Sequence, residues 1–167
     1  MPAGLEIGLA IAAGLAVVLF LWLRRKGIDP RILERRYADG DRFLSIAGAR
    51  VRVREEGPPD APVLFLLHGF THSLESWDGW SRTLAKRNRV IRYDLLGHGL
   101  TGPDLKKRYA PVARAAFLGE VMDALGVDAA SVAGNSLGGL AAWRFAADNP
   151  ARVKSLILIS PGAYSIN

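Results

Sequence analysis

The sequence predicts an α/β fold in which one transmembrane helix precedes a doubly wound, mostly parallel sheet that begins with an antiparallel hairpin. Three observations support this prediction. Residues 7–23 form an apolar run without a charged residue. Residues 42–54 show strand-like alternation around a glycine turn, and residues 63–159 alternate short apolar runs with segments of helical periodicity. Strands that alternate with helices are typical of parallel sheets joined by right-handed crossovers.

The apolar run from Ile7 to Leu23 has the minimum length of a helix that spans a bilayer. A cleaved secretory signal is the alternative, but no lysine or arginine precedes the run, Glu6 is acidic, and no small-residue cleavage site follows. A buried core helix is disfavoured because the run is apolar all round. We therefore expect membrane attachment through residues 7–23.

A basic collar follows the apolar run and contributes to the net charge of +6. It consists of Arg24, Arg25, Lys26, Arg31, Arg35 and Arg36. Such a collar is attracted to anionic lipid head groups and places the rest of the chain on the cytoplasmic side. The location of the excess positive charge just after the apolar run argues against nucleic-acid binding. The predicted organisation is an anchor with its collar over residues 1–26, a linker over 27–40 and a folded domain over 41–167.

Composition and loop patterns exclude several kinds of site. The chain has no cysteine, so neither a disulfide framework nor a thiolate metal site can form. The loop Gly97-His98-Gly99 lacks the lysine and the spacing of a phosphate-binding loop, and no G-x-G-x-x-G pattern opens a helix. We expect no metal, no cofactor and no bound nucleotide. The oligomeric state is not indicated.

The folded domain begins with a predicted β-hairpin. Residues 42–46 form its first strand, residues 47–49 the turn, and residues 50–54 a second strand in which arginine and valine alternate strictly. The valines are expected to face a core. We expect the arginines to face water and to protect an edge of the sheet.

Four strands with helices between them follow the hairpin. The predicted strands are residues 63–67, 89–94, 127–133 and 153–159, and the predicted helices are residues 76–87, 110–125 and 137–149. The strands at 63–67 and 153–159 are apolar enough to be buried in a parallel sheet. Trp77 and Trp80 stand at helical spacing, and we expect both in the core.

The most specific chemical signal is Gly134-Asn135-Ser136-Leu137-Gly138, a G-x-S-x-G pattern between a predicted strand and a predicted helix. A nucleophile on such a tight turn has a strained backbone, which is tolerated only if the residues two before and two after it lack a Cβ. The helix that begins at Leu137 directs free N–H groups toward Ser136, where negative charge develops in acyl transfer. A glycine- and serine-rich loop without chemistry is the alternative.

With these motifs, the chain resembles the N-terminal half of an α/β-hydrolase-fold enzyme, cut off after about the sixth strand. Four segments carry the resemblance in the family's order: the strand that runs into His68-Gly69-Phe70, the loop D-L-L-G-H-G at 94–99, the elbow at 134–139 and the strand that ends at 156–161. The resemblance covers about residue 42 to the last residue. The chain looks most similar to serine hydrolases with lipase, esterase or carbon–carbon bond hydrolase activity, including membrane-anchored acylglycerol lipases.

The resemblance implies roles for individual residues and a small-molecule or lipid ester as substrate. Ser136 would be the nucleophile, and the backbone N–H groups of Phe70 and Leu137 would form the oxyanion hole. The residues implied to line the pocket are His68, Gly69, His72 and Asn135. Family members with an aspartate nucleophile, the dehalogenases and epoxide hydrolases, are disfavoured because position 136 is serine.

A serine nucleophile needs a histidine base oriented by an acid, and in this family both follow the nucleophile along the chain. After Ser136 the chain holds no histidine, and Asp148 is its only acidic residue. His68, His72 and His98 precede the nucleophile and are disfavoured as the base.

We therefore expect residues 1–167 to be an inactive, nucleophile-bearing piece of a longer hydrolase. A substrate-covering cap would begin near residues 163–167. The alternative is a non-catalytic, membrane-tethered binding or scaffold module.

Overall fold

The computed structural model of the chain describes residues 3–23 and 28–162. The chain divides into two units, Met1–Leu33 and Glu34–Asn167. The first unit contains helix α1 (Ala3–Leu23), and the short helix α2 (Pro30–Tyr37) follows along the chain. The collar residues 24–26 and the predicted start of the cap at 163–167 lie outside the described residues.

The side chains of α1 that the structure describes are exposed. Within the described part of the chain, no helix combines the length and the apolar character needed to cross a membrane. The predicted span over residues 7–23 stays a prediction.

The second unit is built on one six-stranded sheet with the order β1-β2-β4-β3-β5-β6. Its strands are β1 (Arg42–Ile46), β2 (Ala49–Glu56), β3 (Val63–Leu67), β4 (Arg89–Tyr93), β5 (Ala130–Asn135) and β6 (Val153–Ile159). β2 pairs antiparallel with β1 and β4, whereas β4, β3, β5 and β6 are parallel neighbours. The predicted α/β fold with an N-terminal hairpin is confirmed.

Helices α3 (Asp78–Leu84), α4 (Pro111–Ala124) and α5 (Leu137–Asp148) connect the parallel strands. Alternate residues of β3 belong to two different cores, because successive side chains of a strand point to opposite faces. Phe65 belongs to the larger core, which includes Phe117 of α4 and Phe145 of α5. Leu64 belongs to the smaller core, which includes Trp77, the last residue of a 3₁₀ turn before α3. Burial on both faces explains why β3 is apolar at every position.

The strand order places a topological switch point between β3 and β5. The chain moves from β3 to β4 on one side and then returns to β5 on the other side of β3. Leu67 pairs with Gly134, so the ends of β3 and β5 lie side by side. Ligands of open α/β sheets bind outside the carboxyl ends of the strands at such a point. The fold therefore brings His68-Gly69-Phe70 next to Ser136.

The expectation that the arginines of the hairpin face water is wrong for Arg52. β2 lies between β1 and β4, so it is not an edge strand. Arg50 is exposed and pairs with Glu34, whereas Arg52 is only 1% exposed and pairs with Asp41 at 2.5 Å. At Arg52 both faces of β2 are covered by protein. The alternation of valine and arginine does not reveal this second covered face.

Two other burial predictions are wrong. Trp77 is buried as expected, but Trp80 is 59% exposed. Trp77 ends a 3₁₀ turn and Trp80 lies in the following helix α3, so the two residues do not share the face of one continuous α-helix. β6 forms as predicted but is mostly exposed rather than buried. Within the described residues β6 pairs only with β5, which leaves its other side open in this part of the sheet.

Candidate active site

Ser136 occupies a sharp turn between β5 and α5. Its φ of 49° and ψ of −112° lie outside the conformations that non-glycine residues readily adopt. Its N–H donates to the carbonyl of Ile159 at the end of β6, 3.0 Å away, and its carbonyl accepts from the N–H groups of Leu140 and Gly162, each 2.9 Å away. The strained turn is held by backbone bonds on both sides.

The two glycines of the elbow allow three backbone segments to approach one another. A Cβ at Gly134 would lie 2.5 Å from the carbonyl oxygen of Gly138, and a Cβ at Gly138 would lie 2.4 Å from that of Leu67. Both distances are far below contact distance, and the atoms met are backbone. The steric requirement inferred from the sequence is confirmed.

Two backbone segments lie beside Ser136: the start of α5 and the turn after β3. Leu137 is the first residue of α5, so its N–H belongs to the positive end of the helix. Gly69 lies so close that a Cβ on it would be 3.4 Å from Ser136 Cβ, and Phe70 follows Gly69. Among the described residues, no hydrogen-bond acceptor contacts the N–H of Phe70 or of Leu137.

The Phe70 side chain is 67% exposed, and its ring packs edge-on against His98 with the centroids 5.6 Å apart. His98 belongs to the loop after β4 and is half-buried. The next residue, Thr71, has a φ of 61°, so the turn after β3 is also strained. The two glycine-containing loops predicted from the sequence meet at this contact.

His68 is fully buried beneath the site. Its Nδ1 lies 2.8 Å from the carbonyl oxygen of Gly69, and its Nε2 accepts from the N–H of Leu95, 2.9 Å away, so Nδ1 carries the proton. Burial, chiefly, lowers the pKa of His68 to about 4. The structure thus places His68 as a neutral link between the ends of β3 and β4 rather than at the surface of a pocket.

The structure places His72 and Asn135 at a shallow depression of about 220 Å³ beside the elbow. Its other lining residues are Ser76, Trp77, Trp80 and Ile159. Asn135 is fixed because its Nδ2 donates to the carbonyl of Ile159, 3.1 Å away. Gly69 approaches the same group, since a Cβ on it would lie 2.7 Å from Asn135 Oδ1. A larger depression of about 430 Å³ lies between α4 and α5 and contains none of the predicted site residues.

A set of buried charges, which was not predicted from the sequence, lies behind this site. Arg52, Arg92 and Asp94 are each 1% exposed or less, and they contact the segment that follows Phe70. One feature of the sequence could have revealed these buried charges: Arg92 lies between apolar residues in a strand that is buried on both faces. Among the described residues, no group of three or more histidine, aspartate or glutamate side chains has the arrangement of a metal site.

The profile of the α/β hydrolase fold family matches residues 62–167. A curated relative, the putative 2-succinyl-6-hydroxy-2,4-cyclohexadiene-1-carboxylate synthase of Bacillus subtilis (strain 168), is 39% identical over 122 residues, which cover 71% of this chain and 44% of that protein. The chain thus spans less than half the length of this relative.

Two solved structures are similar over most of the chain. Naproxen esterase (carboxylesterase NP) from Bacillus subtilis has a TM-score of 0.72 and 28% identity, and the match covers 81% of this chain and 51% of that one. A membrane phospholipase A, described as a bacterial virulence factor, has a TM-score of 0.68 and 30% identity, and the match covers 97% of this chain and 52% of that one.

Proposed function

The chain belongs to the α/β-hydrolase fold family, and from this premise we propose that it is the nucleophile-bearing part of a serine hydrolase of ester, lipid or related acyl substrates. Membership of this family and the similarity to naproxen esterase support a general hydrolytic function. The proposal assigns nucleophilic attack to Ser136. It assigns the oxyanion hole to the N–H groups of Phe70 and Leu137, and substrate contacts to His72, Asn135 and the backbone of Gly69.

The strained conformation of Ser136 at the start of α5 is the observation that carries this proposal. A serine in a simple loop needs neither a positive φ nor flanking glycines, whereas an exposed nucleophile at a helix N-terminus needs both. As the hydroxyl attacks an acyl carbon, the carbonyl oxygen of the substrate becomes negative. The N–H groups of Phe70 and Leu137, for which the described residues offer no acceptor, would then stabilise that charge.

Residues 137–167 contain no histidine, and their one acidic residue, Asp148, pairs with Arg144 at 2.8 Å at the end of α5 remote from Ser136. Of the histidines that precede Ser136, His68 has both ring nitrogens bonded, so it cannot take a proton from the nucleophile. We therefore propose that residues 1–167 alone do not turn over substrate, and that a histidine and an acid beyond Asn167 complete the site. Reading the coding sequence past Asn167 tests this step, and an in-frame stop codon there would support the non-catalytic module instead.

Hydrolysis of short p-nitrophenyl esters by the product of the complete coding sequence tests the proposed activity. The Ser136→Ala variant is expected to lose at least about 10³-fold in kcat, because the nucleophile is removed. Ser160→Ala is the matched control, since Ser160 also has a positive φ and lies at the same edge of the sheet. Equal rates for both variants would show that Ser136 is not the nucleophile.

We further propose that residues 7–23 attach the protein to a membrane and that the hydrolase unit lies on the cytoplasmic side. The apolar run and the basic collar support this proposal. The similarity to a membrane phospholipase A over nearly the whole chain is also consistent with it. A membrane location would place the site near lipid esters.

A further inference from the structure

The proposed oxyanion donor Phe70 lies in residues 69–77, which we call the oxyanion loop. Residues 69–72 form the front of this loop, and residues 73–77 form its rear. Phe70, Thr71 and His72 are all exposed, and the turn they form is closed by one backbone bond, from His72 N–H to the carbonyl of Gly69, 3.3 Å away. The carbonyl of Gly69, which shares its peptide group with the Phe70 N–H, also accepts from Nδ1 of the buried His68 at 2.8 Å, and the Phe70 ring contacts His98 edge-on. The Phe70 N–H is therefore held on one side by His68 and, through the chain that follows it, by the rear of the loop.

The rear of the oxyanion loop is bonded to buried charged side chains. Leu74 is fully buried, and its N–H donates to Asp94 Oδ1, 2.8 Å away, while its carbonyl accepts from Arg92 Nη1 at 2.9 Å. The neighbouring Glu75 accepts from Arg52 Nη2 at 2.5 Å and from Ser73 Oγ at 2.6 Å. The loop is thus held through ionic groups rather than through an apolar core alone.

Arg52 is the group on which these contacts converge. Its guanidinium pairs with Asp41 at 2.5 Å, with Glu75 at 2.5 Å and with Asp94 at 3.4 Å, and it also donates to the carbonyl of Tyr37. These partners come from the residues before β1, from the oxyanion loop and from the loop after β4. A charge that is only 1% exposed is tolerated because it has several such partners. Asp41 and Asp94 fix Arg52, and Glu75 links it to the loop.

We propose that Arg52 is a positioning residue for the hydrolytic site and that it acts through Glu75 to hold the Phe70 N–H where the oxyanion develops. This inference rests on the proposed function, because it needs Phe70 as an oxyanion donor. Displacement of a catalytic group by about 1 Å costs about 10²-fold in rate. A looser rear contact therefore lowers kcat without removing any group that touches the substrate.

The variant Glu75→Gln tests the inference because it weakens the link and leaves Arg52 paired with Asp41 and Asp94. Glu55→Gln is the matched control: Glu55 is also partly buried and pairs with two arginines, Arg42 and Arg89, at 2.6 Å each. Ester hydrolysis by the product of the complete coding sequence would be measured, with active sites counted by fluorophosphonate labelling. We expect kcat per active site to fall about tenfold in Glu75→Gln with KM changed less than about twofold, because a transition-state interaction is weakened.

The outcomes separate this inference from the proposed function. If wild type is labelled at Ser136 but kcat per active site is equal in Glu75→Gln and Glu55→Gln, Arg52 and Glu75 do not position the oxyanion donor. A fall that disappears when rates are divided by the number of labelled sites indicates a merely structural role and also overturns the inference. If wild type is not labelled at Ser136, the proposed function fails, and the inference fails with it.

Discussion

Because the ring of His68 is buried, we expect the free energy of unfolding to decrease as the pH falls from about 6.5 to about 4. Burial is the main cause that lowers its pKa to about 4, and it outweighs the hydrogen bond to the Gly69 carbonyl, which raises the pKa. In an unfolded chain a histidine has a pKa near 6.5. Between these two values the unfolded state binds a proton that the folded state excludes. The free energy of unfolding therefore rises with pH across this window and reaches its full value above pH 6.5.

The size of the effect follows from the difference between the two pKa values of His68. One unit of pKa corresponds to about 1.4 kcal/mol, so a fall from 6.5 to about 4 corresponds to about 3 kcal/mol. A domain typically has a free energy of unfolding of about 5–15 kcal/mol. Protonation of this one ring would therefore remove a large share of the stability.

Urea unfolding at pH 4, 5, 6 and 7 of wild type and of His68→Gln measures this contribution. Glutamine lacks the titrating ring, so the other groups that titrate in this range affect both proteins alike. Wild type is expected to lose about 3 kcal/mol more than the variant between pH 7 and pH 4. Parallel pH profiles of the two proteins would refute the burial argument for His68.

Three further predictions concern the elbow, the anchor and the buried arginine. Gly138→Ala is expected to abolish folding or labelling because its Cβ would meet the carbonyl of Leu67 at 2.4 Å, whereas Gly79→Ala, with no atom within 4 Å, leaves thermal stability unchanged or slightly higher. The protein is expected to stay with membranes after salt and carbonate washes and to be released when residues 7–23 are deleted, and fractionation with the soluble proteins would contradict the anchor. Arg52→Ala is expected to lower the free energy of unfolding by about 3–5 kcal/mol in denaturant titrations, because the buried Asp94 loses its arginine partner while Asp41 keeps only Arg54, and a change below about 1 kcal/mol would contradict the network.

The elements that local pattern determines were predicted well from the sequence. β3 is apolar at every position, and Gly134 and Gly138 bracket a serine between a strand and a helix, so their structure follows from residues close in sequence. Strand-and-helix alternation was sufficient to predict the α/β fold. The pairing of Leu67 with Gly134 then brings Gly69 to Ser136.

What the sequence did not reveal depends on contacts between distant segments. Arg52 alternates with valines as an exposed residue would, but Asp41, Glu75 and Asp94 reach it from other parts of the chain. The buried ring of His68 likewise needs a hydrogen bond from the N–H of Leu95, which lies in the loop after β4. Local periodicity carries no information about such partners, because it reports only which face of its own element a residue occupies.

Covalent labelling is the most direct test of whether Ser136 is the nucleophile. The product of the complete coding sequence would be treated with a fluorophosphonate, digested and analysed by peptide mass spectrometry. A single adduct on Ser136, absent in Ser136→Ala and retained in Ser160→Ala, is the result predicted for a serine nucleophile with a formed oxyanion hole. No adduct, or an adduct on another residue with Ser136 unmodified, would contradict the account.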